Sequence, residues 1–343
     1  MKMKIIKIKK MEYCVTNTNK LWELWEEKSP LEGIMWQNFD PELRGWSKAS
    51  LRTNFILKKL KISLDAGLSC PYNNDHIFLT HGHCDHSANI TFHLLQDRQT
   101  DDKKIDIYAP KEIIHILNNK IQSDFYLTES KKKKVKSLPY QIIGLEAGMK
   151  FQILINKEPS MVEVFKCYHS VPTLGYGISK ICKRLKPEYE NISNEEKKNL
   201  SKSGVKIKEE YEQPFMLYLG DTDVRVFGVE IPTDETISDL ELNEEIETND
   251  GIKEITIYEK LIEQDIFKYP IIIVECTFLL ESDLTKARSK QHMHWNDLEP
   301  VIRSHPNNKF ILYHFSRKYT NYNINKFFQE CNKPENCYPW ISP

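Results

Sequence analysis

His81-Gly82-His83-Cys84-Asp85-His86 directly follows the apolar run His76-Ile77-Phe78-Leu79-Thr80. The run reads as a buried strand. A strand that ends on three imidazoles and a carboxylate gives a metal site a rigid base. Ligands packed this tightly can hold two metal ions side by side. Neutral imidazole with carboxylate suits zinc, with manganese or iron as substitutes. Two ions about 3.5–4 Å apart clamp a displacement at phosphorus or at a carbonyl carbon. A histidine-rich surface loop is the plain alternative, but chance rarely produces this spacing straight after a strand.

A two-ion site needs more ligands than this loop supplies. His169 closes the run Val162–Tyr168, Asp221 follows Phe215–Leu219, and His314 closes Phe310–Tyr313. One histidine after a strand is usually structural. Three such residues in order, each at a strand's carboxyl end, point to a site, because open α/β sheets collect their sites at that edge. Further strand candidates are Asn54–Leu57, Lys61–Leu64, Asp106–Ala109, Phe151–Ile155 and Ile271–Glu275. Helical patterns cover Ser87–Gln96, Glu112–Ile121, Asn296–Ser304 and Asn323–Glu330. Strands with helices interspersed imply an α/β sandwich.

Composition narrows the function classes. With 343 residues, the chain makes one large domain or two small ones. The formal net charge is only -1, so any nucleic-acid contact must use local patches. The run Lys131-Lys132-Lys133-Lys134 and the acidic stretch from Glu230 to Glu259 read first as solvated loops. Eight cysteines without a Cys-x-x-Cys pair read as reduced thiols of an intracellular protein, cytoplasmic or nuclear. No apolar run reaches membrane-spanning length. The basic start from Met1 to Lys10 lacks a signal-peptide core and leaves organelle targeting open.

The ligand order His-x-His-x-Asp-His, His, Asp, His resembles the metallo-β-lactamase fold superfamily. Within it the chain is similar to ribonuclease Z, the endonuclease that trims the 3′ trailer from precursor tRNA. Glu275-Cys276-Thr277-Phe278 is similar to that family's Glu-Ala-Thr-Phe. Ala287 followed by His292 matches its later histidine motif, and His314-Phe315-Ser316-Arg317-Lys318-Tyr319 is close to its His-Phe-Ser-x-Arg-Tyr, with the Arg and Lys places altered. Pro172, Gly175-Tyr176, Leu185, Tyr189, Ser203-Gly204-Val205, Gly220-Asp221-Thr222 and Gln291-His292-Met293-His294 resemble the short plant and cyanobacterial type.

The resemblance implies a four-layer αβ/βα sandwich with the metal site at the strand ends. It implies two zinc ions per subunit. His81, His83 and His169 would hold one, Asp85, His86 and His314 the other, and Asp221 would bridge. A metal-bound hydroxide would attack the phosphodiester after the discriminator nucleotide and leave a 3′-hydroxyl on tRNA. Asp85 would orient it or take its proton. His292 would be the general acid, with Glu275 setting its tautomer. His294 lies two residues on and stays a candidate for that role, although the spacing from Ala287 selects His292. Asp65, in Leu64-Asp65-Ala66-Gly67, would hydrogen-bond beneath the metal loop. Precursor tRNA is the implied partner and a homodimer the implied assembly.

The implied organisation is an N-terminal extension with the first strands over 1–49, a catalytic domain over 50–320, and a C-terminal helix and tail over 321–343. Inside the domain, 178–214 is a candidate RNA-contact segment, with a plain solvated helix as its alternative, and 229–262 is an acidic insertion. Two other functions use the same fold: hydrolysis of a small phosphodiester or thioester, and non-catalytic RNA binding. The second would predict lost ligands, and all seven positions here hold competent residues.

Overall fold

The computed structural model describes residues 42–69, 72–95, 104–128, 139–231, 259–260 and 265–342. Residues 1–41, the basic run at 131–136 and most of the acidic insertion lie outside the described residues.

The chain first builds a six-stranded sheet. Strands β1 (Leu43–Lys48), β2 (Arg52–Leu57) and β3 (Ile62–Leu64) are antiparallel neighbours. β4 (His76–Phe78), β5 (Ile105–Pro110) and β6 (Tyr140–Leu145) continue from β3 in parallel. Between them come the short helices α1 (Cys84–Ser87) and α2 (Ile90–Leu95) and the longer α3 (Ile114–Thr128). The single helix expected over Ser87–Gln96 is thus two, broken at Ala88-Asn89.

The second sheet has eight strands in the order β11-β7-β8-β9-β10-β12-β13-β14. β7 (Met149–Ile155), β8 (Glu158–Lys166), β9 (Leu174–Leu185) and β10 (Lys208–Tyr218) form an antiparallel meander, with β11 (Glu259–Lys260) on its edge. β12 (Ile271–Glu275), β13 (Lys309–Tyr313) and β14 (Cys337–Pro339) then add in parallel to β10. The last residues are therefore part of the sheet, not only a tail. Helices α5 (Leu284–Ser289), α6 (Trp295–Ser304) and α7 (Asn321–Glu330) accompany these strands.

Three buried clusters fix the layers. Phe55, Leu64, Phe78 and Tyr108 of the first sheet meet Phe151, Tyr176, Tyr218 and Tyr313 of the second. Ile77, Leu79 and Ile107 on the first sheet's outer face pack on Leu117, Ile121 and Phe125 of α3. Ile272, Val274 and Leu312 on the second sheet's outer face pack on Leu298, Val301 and Ile302 of α6 and Phe328 of α7. Each sheet is apolar on both faces, one against its twin and one against helices, which gives the four-layer αβ/βα sandwich.

The segment 178–214 is a two-stranded ribbon. β9 and β10 stay paired from Tyr176–Tyr218 out to Leu185–Lys208, and their outer halves leave the core. A short helix, α4 (Asn194–Lys202), closes the tip and is capped by reciprocal Ser193–Glu196 bonds. Arg184 pairs with Glu209 at 2.7 Å and Lys183 with Glu210 at 3.2 Å. These exposed pairs add little stability, but they set a carboxylate against two of the ribbon's cations.

Below the first sheet, His93 is buried with both ring nitrogens engaged, by the Asn74 amide at 3.2 Å and the Leu68 carbonyl at 2.9 Å. Burial lowers its pKa to about 4, against the opposing bond to Leu68. Its unfolded value is the ordinary one near 6.5. Between these values the unfolded chain takes a proton that the native chain refuses, so stability falls as pH drops from about 6.5 toward 4. His93→Gln is expected to remove most of that acid-side loss, on the order of 3 kcal/mol at the limit, in urea titrations run from pH 7 to pH 4.

Candidate metal centre

Asp65, His81, His169, Asp221, Glu275 and His314 all follow or end strands whose carboxyl ends face one edge of the sandwich. β3 and β4 are parallel in one sheet, and β8, β10, β12 and β13 run the same way in the other. Side chains 228 residues apart meet there: His86 Nε2 lies 3.3 Å from His314 Nε2.

Three groups of donor atoms result, one of them Asp221, Glu275, His292 and His314. His81, His83, His169 and Asp221 bring one atom each within 4.8 Å of one another, and so do Asp85, His86 and His314. Asp221 stands between them. Its carboxylate oxygens lie 3.8 Å and 3.9 Å from the Nε2 atoms of His81 and His169, and 3.4 Å and 3.5 Å from those of His86 and His314.

Every outer imidazole nitrogen that has a partner is locked by it. Thr80 Oγ1 donates to Asp65 and so accepts from His81 Nδ1 at 3.0 Å. His86 Nδ1 donates to Asp65 Oδ2 at 2.7 Å. His169 Nδ1 donates to the Gln291 carbonyl at 3.1 Å. His314 Nδ1 meets Thr277 Oγ1 at 2.9 Å, and that hydroxyl bonds in turn to Glu275. With the outer nitrogen carrying the proton, the inner Nε2 of His81 and of His169 turns a lone pair into the cleft. His86 is held charged by its carboxylate neighbours, and a bound cation would take the place of its Nε2 proton. Inner atoms then face each other without enough protons to share: His81 Nε2 is 3.1 Å from His83 Nδ1, which is 3.3 Å from His169 Nε2. Asp221 Oδ1 is buried without a hydrogen-bond partner among the described residues. Converging lone pairs and an orphaned carboxylate oxygen fit two cations, and the imidazole and carboxylate donors suit zinc, manganese or iron.

The electrostatics divide the histidines. Burial holds His81, His83 and His169 below the ordinary imidazole pKa, so they are neutral donors. Burial also opposes charge on His86, but the Asp221 and Asp65 carboxylates outweigh it and hold that group well above the ordinary value. Asp85 is lowered to about 2: burial opposes, and the His314 bond outweighs. Its Oδ2 also accepts the Ser50 backbone N–H at 2.8 Å, a contact from the β1–β2 loop with no signal in the sequence.

Glu275 ends β12 fully buried. Its Oε1 accepts the Thr222 N–H at 2.9 Å and His292 Nδ1 at 2.7 Å, and its Oε2 accepts from Thr277. Against burial, this carboxylate raises His292 to about 9. His292 lies 3.9 Å from Asp221 and lines the metal cleft. His294 differs. Its Nε2 bonds to the Leu280 carbonyl at 2.9 Å and its Nδ1 accepts the Asn296 N–H at 3.0 Å. Both nitrogens are thus engaged, Nδ1 in capping α6 and Nε2 on the Leu280 carbonyl. Cys84 is exposed at the cleft's rim. His76 bonds to the Leu154 carbonyl, and His305 stacks on Phe267, both away from the cleft.

No protein-family model matches the chain. It is 27% identical over 282 residues to tRNase Z TRZ1 of Arabidopsis thaliana, covering 81% of this chain and 86% of that protein. It is 23% identical over 281 residues to the chloroplastic tRNase Z TRZ2 of the same plant, covering 81% and 68%. The structure of the human short-form tRNase Z superposes with a TM-score of 0.45 at 14% identity, covering 80% of this chain and 92% of that one. Among the described residues, no helix is long and apolar enough to cross a membrane. Over four-fifths of its length, then, the chain resembles the tRNase Z proteins.

Proposed function

We propose that the protein is a metal-dependent endoribonuclease that removes the 3′ trailer from precursor tRNA. The observation that carries the reading is Asp221 set between two ligand groups, with the Glu275-backed His292 against it. The similarity to tRNase Z proteins supports the choice of substrate.

His81, His83 and His169 would hold one ion and Asp85, His86 and His314 the other, with Asp221 available to both. When bound, the ions supply an activated water at neutral pH and neutralise charge at phosphorus. Asp85, ionised throughout the physiological range, orients the attacking water and accepts its proton. A 3′-hydroxyl on tRNA requires that the bond from phosphorus to the discriminator's O3′ breaks. The phosphate therefore stays on the trailer, and O3′ is the leaving oxygen. His292 donates Nδ1–H to Glu275 and carries its second proton on Nε2. That proton passes to O3′ as the bond breaks.

Asp65 supports the site from beneath. It accepts from Thr80, from Tyr218 Oη at 2.6 Å and from His86. Asparagine tolerates its positive φ but offers one acceptor oxygen fewer. Asp65→Asn is expected to weaken metal affinity about 10–100-fold, read by competition with a chromophoric chelator.

The function is tested by comparing kcat/KM for a 3′-extended precursor tRNA with that for a small phosphodiester and a thioester, on one metal-loaded preparation. The reading expects the precursor to be preferred by orders of magnitude. A higher value for either small ester would give the site to small-molecule hydrolysis.

A further inference from the structure

A second groove, of about 450 Å³, opens beside the metal cleft and shares Ser50 and His292 with it. Lys286 and Lys290 of the α5 end form one wall, and Arg317 and Lys318, just after β13, form the other. No carboxylate lines it. Lys318 is held by Asp283 and lies 6.0 Å above the Phe278 ring, with Lys286 at 5.6 Å from the same ring. Lys290 and Arg317 are exposed and have no carboxylate partner among the described residues. On a chain whose net charge is -1, four cations around one groove are a local concentration.

We propose that this groove binds phosphates of the mature tRNA 3′ strand, the strand that ends in the leaving O3′. The proposal rests on the endoribonuclease reading above. His292 protonates O3′, so the strand bearing that oxygen runs from the metals toward and past His292. The groove is what lies beyond it. The trailer keeps the phosphate and departs on the side of Arg52 and Asn89, which line the metal cleft away from the groove. Lys290 and Arg317 then bind the backbone without reading sequence, as cations on phosphate do.

The test is the double variant Lys290→Gln, Arg317→Gln. It is compared with wild type, both metal-loaded, for binding of two labelled RNAs across a salt series. One is an acceptor-stem minihelix ending at the discriminator with a 3′-hydroxyl; the other is a 5′-phosphorylated trailer oligonucleotide. The variant is expected to bind the minihelix about tenfold more weakly at low salt, with the log–log salt slope reduced by about 1–2. Trailer binding, melting temperature and metal content are expected to match wild type. Loss of trailer binding instead, no change with either RNA, or no binding of the minihelix by wild type would each overturn the proposal. Failure of the underlying reading is separate: wild type would then cut no precursor RNA, whatever the groove binds.

Discussion

Asp85→Ala is expected to reduce cleavage of precursor tRNA by about 10⁴-fold or more, the scale of losing a group that makes the nucleophile, with most tRNA affinity retained. On the proposed reading the side chain would supply one donor of the second group, beside His314 Nε2 at 3.3 Å, and would handle the attacking water. It is also partly exposed, unlike Asp221, so its removal strands no buried charge. What remains is the Ser50 N–H, which water can satisfy, and His314 Nε2, which still faces Asp221 at 3.5 Å. Single-turnover rates and filter binding on the same preparation separate the two effects. Turnover within tenfold of wild type would contradict the assigned role.

His292→Ala is expected to slow cleavage by about 10²–10⁴-fold with little change in metal content. The deficit should shrink on a substrate whose leaving O3′ is replaced by sulfur, which departs without a proton. Glu275→Gln gives a companion result with a definite sign. A general acid works only while protonated, so kcat falls as pH rises through its pKa. The Glu275 carboxylate is what raises His292, and without it that fall moves to lower pH. An unmoved alkaline limb in Glu275→Gln, together with an unchanged rate in His292→Ala, would remove the pair from the mechanism. His294→Ala is expected to leave the alkaline limb where it is, since its Nδ1 caps α6 and its Nε2 bonds to the Leu280 carbonyl.

The seven candidate ligand positions stood out because their signal is chemical and local: a polar donor placed straight after an apolar strand. The structure brings all seven to one edge. Of the strands that the sequence hid, β1, β6 and β9 each contain glycine, which weakens the pattern of a strand, whereas β11 and β14 are too short to show one. The reason for the glycines is tertiary. A Cβ at Gly177 would sit 2.3 Å from Tyr269 Oη, and one at Gly45 would overlap the Phe55 ring. Close approach of a neighbouring aromatic side chain requires the residue that local propensity counts against. The ribbon at 178–214 was hidden differently, because its alternating charges carry no buried face to betray a strand. The groups that fix the imidazoles, Thr80, Thr277 and the Gln291 carbonyl, lie up to 122 residues from the rings they hold. Nothing in a linear sequence says which hydroxyl will meet which nitrogen. His292 and His294 were indistinguishable for the same cause, and the structure separates them by the partners at both ends of each ring.

The most direct test of the central claim is to map, at nucleotide resolution, the products of metal-loaded protein acting on a 3′-extended precursor tRNA, with and without chelator. A single chelator-sensitive cut just after the discriminator, giving a 3′-hydroxyl on the tRNA and a 5′-phosphate on the trailer, is the predicted result. An intact precursor alongside metal-dependent hydrolysis of a small phosphodiester, or a cut that leaves the phosphate on the tRNA, would contradict it.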